Sequence, residues 1–143
     1  MVRKLDVNEF DKDRPLVIGE MTAALIALIN ANCKQPLIGT LSETQIIMWE
    51  DRISHTENHA PQFSSRDEYD KAFENIPLII SDPDFVGIHP DGGSVQFIKK
   101  LGDLLLVAVR ISNNGKLSYR TMYPITEGQL NDYVKKGRAW QVP

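Results

Sequence analysis

Apolar positions along this chain change period near residue 85, from helical spacing before it to alternation after it. Leu16–Met21, just after Pro15, predicts a short strand, and Thr22 then caps an apolar segment from Ala23 to Asn30. Gln35-Pro36 ends that element. Ser42 with Gln45 three residues on makes a capping-box pattern and predicts a helix running to about Asn58. Its core side is expected to carry Ile46, Trp49 and Ile53, and its opposite side Met48, Arg52, His55 and His59. Ser65 opens a further helix through Tyr69, Ala72 and Phe73, which Pro77 ends or bends.

From Phe85 onward the alternation predicts strands at Phe85–His89, Ser94–Lys100, Leu104–Ser112 and Lys116–Ile125. Asp91-Gly92-Gly93, Gly102-Asp103 and Asn113-Asn114-Gly115 supply the turns, and a last helix, Glu127–Lys136, stops at Gly137. In the final hairpin, a two-residue turn at Asn114-Gly115 sets Val109 against Arg120, mixing apolar with polar partners. A three-residue loop with Gly115 left-handed instead sets Ile111 against Leu117, Val109 against Tyr119 and Val107 against Thr121, which gives the cleaner core. That register places Arg110 against Ser118 and Ala108 against Arg120 on the other face, and turns Thr121 toward the core. The expected fold is α+β: N-terminal helices packed on one face of a C-terminal antiparallel meander sheet, with a short C-terminal helix. Residues 1–14 read as a charged arm and residues 15–143 as one domain.

Composition narrows the classes. With 143 residues, 42% of them hydrophobic and 24% charged, the chain can bury a core of its own. No apolar run is long enough to span a bilayer, and the scattered charges of the N-terminus do not make a signal peptide. Cys33, the one cysteine, has no disulfide partner and no zinc-ligand spacing, so a reducing, cytoplasmic compartment is expected. The net charge of -3 argues against nucleic acid, but it is unevenly spread. Residues 1–85 carry a net of -7 and residues 86–143 a net of +4, so the strand half is the basic half.

Candidate chemistry lies in His55 and His59 of the sequence HTENH, followed on strands by Lys99, Lys100, Arg110, Arg120 and Thr121. Histidine carries protons near neutral pH, and lysine and arginine neutralise phosphate, so the set has the parts for phosphodiester cleavage without a metal. The i, i+4 spacing of the histidines also suits zinc, but Thr56 stands where a metalloprotease helix needs Glu, and no third ligand follows by spacing. No metal and no cofactor is assigned. The plain alternatives are surface histidines, and arginines whose stems cover a solvent face.

The run of HTENH, a second helix, IPLIISDPDFVGIHP, a strand with SVQFIKK and the hairpin LLLVAVRISNNGKLSYRTMYPI resembles the phage-associated branch of the barnase, EndoU, colicin and RelE-like nucleases over about residues 42–125. That pattern pairs a helix-end basic residue and His with a second His, then Ile-Pro, a Pro-Asp turn, a strand lysine and a threonine-aromatic strand. Asn58-His59 departs from the family's Arg-His. The resemblance implies a metal-independent endoribonuclease, possessing His55, His59, Lys99, Arg110, Arg120 and Thr121 as catalytic groups, with Arg52, Lys100, Ser118 and Tyr123 binding RNA. It further implies a phage-borne or toxin-type effector; charge alone points to acidic segments, residues 1–14 or Glu57 and Asp67–Glu74, for contacting a cognate inhibitor or moderating RNA binding. The alternative class is a non-catalytic phage-related or immunity-type module that keeps the fold and binds a protein.

Overall fold

A computed structural model describes residues 2–33, 44–112 and 114–143. Strand β1 (Leu16–Glu20) leads into helix α1 (Ala23–Asn32), and Thr22 accepts the Leu25 amide as its N-cap, as the pattern predicts. Strand β2 (Gln45–Met48) is followed by α2 (Asp51–Glu57), α3 (Arg66–Glu74) and α4 (Ile76–Ser81). Four strands then run in sequence, β3 (Phe85–Ile88), β4 (Ser94–Leu101), β5 (Asp103–Ile111) and β6 (Leu117–Pro124), before α5 (Glu127–Lys135) and β7 (Ala139–Gln141). Thr126 and Gln129 close a capping box on α5, and Gly137 follows it with a φ of 71°.

The architecture is α+β, one sheet ordered β1-β2-β6-β5-β4-β3-β7. Every neighbouring pair is antiparallel except β2 with β6. Alternation divides the sheet into two faces. Val95, Phe97, Val107, Val109, Leu117 and Tyr119 turn to the side covered by α1, α3 and α4. Ile98, Leu106 and Ala108 turn the other way, where Leu130 of α5 covers part of the surface.

Two expectations are corrected. Gln45–Met48 is a strand, and the helix begins only at Asp51; Ser42 and Gln35-Pro36 lie outside the described residues. The β-branched pair Ile46-Ile47 finds a pleated slot between β1 and the start of β6, so period two wins over the cap signal. Ile46 and Met48 are therefore buried, Ile53 is half-buried against the core, and Trp49 is turned out to solvent. Strand β7, three residues paired to the edge of β3, was not among the predicted strands.

The second correction concerns register. Gly115 has a φ of 81°, and Ile111 pairs with Leu117, Val109 with Tyr119 and Arg110 with Ser118, as the three-residue loop requires; Asn113 lies outside the described residues. Past Val109, however, the register slips by one, and Ala108 pairs with Thr121 and Val107 with Met122. Arg120 is the extra residue of a β-bulge. The bulge inverts every later side chain of β6, so Thr121 shares the Ala108 face rather than the helix-covered core.

Candidate active site

Strand β2 pairs with β6 only at Leu117 and Ser118, so among the described residues the rest of that β6 edge has no strand partner. Helix α2 lies against it. Two contacts hold the helix there. Thr56 and Tyr119 share a buried hydrogen bond of 2.7 Å, and Arg52 donates to the main-chain carbonyl of Arg120, at 3.2 Å. The second contact satisfies an acceptor that the bulge and the missing strand leave without a ladder partner. Burial holds the Tyr119 phenol far above its ordinary range, so it is present as the neutral hydroxyl.

With Thr56 turned inward, its helix neighbours face out. His55 is exposed, and its ring meets that of His59 edge-on with centroids 6.3 Å apart. His59 in turn lies 5.5 Å from the ring of Tyr123, on the same face of β6 as Thr121. Gln62 Nε2 stands 3.0 Å from His59 Nδ1 and holds the ring in place, the direction of the bond following the imidazole tautomer. His55 is held below the ordinary imidazole range, first by partial desolvation and then by the positive charges of Arg52, His59 and Arg120, against an opposite pull from Asp51. Burial likewise raises the Tyr123 phenol.

Beside the histidines runs an open groove of about 740 Å³ lined by Trp49, Arg52, Asp91, Arg110, Ser118 and Arg120. Arg110 and Arg120 make no ion pair within the described residues. On the same face, Thr121 is 9% exposed, and its hydroxyl is buried without a hydrogen-bond partner. A buried hydroxyl left that way costs roughly 1–3 kcal/mol.

The expected site residues thus divide. Arg52, His55, His59, Arg110, Ser118, Arg120, Thr121 and Tyr123 gather along the α2–β6 seam and its groove. Lys99 does not join them. Its side chain, 14% exposed, reaches Asp82 at 3.3 Å and Asp84 at 3.6 Å and donates to the Asp82 carbonyl at 2.8 Å. Lys100 points toward α5, 3.7 Å from Glu127. Sequence reasoning passed over Thr56 and Tyr119; the signal was a hydroxyl on the inward side of each element, where each needs a partner. Among the described residues no group of three or more His, Cys, Asp or Glu side chains is placed to hold a metal ion.

An α+β protein that sets two imidazoles and two unpaired guanidiniums, Arg110 and Arg120, about one groove carries the side-chain set of a phosphate-ester enzyme. The chain belongs to the phage-Barnase-EndoU-ColicinE5/D-RelE like nuclease3 family, whose model matches residues 25–132. Membership of a nuclease family implies a nucleic-acid substrate. No curated protein and no solved structure matches the chain. No helix among the described residues is long and apolar enough to cross a membrane.

Proposed function

We propose that the protein is a metal-independent endoribonuclease working at the α2–β6 seam. The observation that carries this reading is the seam itself: His55 on a helix clamped by the Thr56–Tyr119 bond and His59 just past its end, beside the unpaired Arg110 and Arg120. His55, held neutral by its surroundings, takes the proton of an RNA 2′-hydroxyl. The freed oxygen attacks the adjacent phosphorus, the P–O5′ bond breaks, and His59, acting as the imidazolium, gives an Nε2 proton to the departing O5′ and is left as the neutral ring. Arg110 and Arg120 stabilise the charge gathering on the phosphate oxygens, and the Thr121 hydroxyl gains the acceptor it lacks. Arg52, Ser118 and Tyr123 fix the strand and the His59 ring.

The products are a 2′,3′-cyclic phosphate and a 5′-hydroxyl. The phage association printed in the family description supports the wider reading of a phage-borne effector acting on cytoplasmic RNA, with a cognate inhibitor as its protein partner. The test incubates the protein with end-labelled RNA in excess EDTA and identifies the new termini. Cyclic-phosphate ends, together with full resistance of RNA whose 2′-hydroxyl is O-methylated, are expected. Cleavage that needs added divalent cation, or that proceeds equally on DNA, contradicts the reading.

A further inference from the structure

Trp49 is 42% exposed, whereas the other large hydrophobic side chains left exposed among the described residues are valines. An indole normally contributes far more by burial than a valine does, so its position outside the core calls for another use. The residue sits between β2 and α2, and is thus held from both sides by elements that are themselves packed. It lines both the arginine groove and a smaller depression with Lys12, Glu50 and Asp51. The indole therefore borders open space in two places.

The groove is not uniformly cationic. Asp91 lines it as well, with Oδ1 fixed by the Gly93 amide at 2.8 Å and by His89 Nδ1 at 3.0 Å. Those contacts hold its carboxyl below the usual range, so the charge is permanent at neutral pH. Asp91 bounds the arginine stretch, and Asp51, next to Trp49 in the lining, repels phosphate at the other end, which leaves the phosphodiester to Arg110 and Arg120. What reaches Trp49 is then the other half of a nucleotide, its base.

We propose that Trp49 forms a nucleobase subsite, stacking on a base next to the scissile phosphate and so selecting single-stranded RNA, in which bases are free to leave their own stack. This rests on the nuclease reading above. The test titrates single-stranded RNA octamers, and octamers of the same length lacking bases, into the full chain with both His55 and His59 changed to Ala to prevent turnover. The difference in indole emission between that protein and its Trp49→Phe derivative isolates Trp49 from Trp140. Base-bearing octamers are expected to quench the Trp49 signal. In the same background, Trp49→Ala is expected to weaken their binding about tenfold, leave the abasic octamers unaffected and unfold at the same temperature, while Trp49→Phe restores most of the affinity. Equal weakening for both ligands, unchanged binding, or absence of quenching on binding overturns the subsite alone. Binding by neither octamer overturns the nuclease reading with it, and affinity for a protein partner lost on Trp49→Ala while RNA binding persists assigns the indole to that partner instead.

Discussion

Cationic side chains gather in two places on this sheet, and their surroundings set them apart. At the far end of β4, Lys99 is enclosed by Asp82 and Asp84, and Lys100 faces Glu127. Along the α2–β6 seam, Arg110 and Arg120 have no carboxylate within ion-pair distance among the described residues, and His55 nearby is pushed toward its neutral form. The first group spends its charge on the fold. The second keeps its charge for a ligand, which is why residue type alone does not find a phosphate site.

The contrast breaks most sharply by neutralising each group in turn. Arg110→Gln with Arg120→Gln is expected to lower RNA kcat/KM by about 10²–10³, the scale of losing preorganised charge stabilisation, whereas Lys99→Gln in a folded protein lowers it less than about threefold by the same reasoning. Parallel steady-state assays decide it, and equal losses erase the distinction. Thr56→Val comes next. It leaves the Tyr119 hydroxyl buried and alone, at a cost of roughly 1–3 kcal/mol in urea unfolding, and Tyr119→Phe in the same protein recovers much of that by removing the orphan.

A finer test uses pH. Cations beside His55 favour the neutral ring, so its proton leaves at a lower pH than an ordinary imidazole's and the base form persists into mild acid. Arg52→Gln removes the largest of the three cationic causes, and the acid limb of the kcat/KM profile is expected to move to higher pH, toward about 6.5, the ordinary imidazole value. A limb that stays in place assigns it to another group. The smallest effect belongs to Lys100→Gln. Both partners of the Lys100–Glu127 pair are 66% exposed, so its loss is expected to leave the unfolding midpoint within measurement scatter.

How much of this was legible in sequence varies with distance along the chain. The hairpins of β4, β5 and β6 follow from alternation and from two left-handed glycines, Gly102 and Gly115, all local signals. The bulge at Arg120 carries no glycine or proline to announce it, and for that reason Thr121 was expected in the core. Strand β2 is four residues long, too short for its period to outweigh a capping-box pattern, and only its slot beside β6 decides it. With β2 misread as helix, Trp49 was placed inside. The histidines and arginines were recognisable by type, but Lys99 was not separable from them, since its partners Asp82 and Asp84 come alongside only when β3 and β4 pair.

The most direct measurement compares RNA cleavage in excess EDTA by the parent protein, His55→Ala and His59→Ala, each shown to unfold at the parent's midpoint. The account predicts cleavage by the parent that falls by about 10²–10⁴ in each variant, the range of general acid–base catalysis. Cleavage unchanged in both folded variants would place the chemistry elsewhere and contradict it.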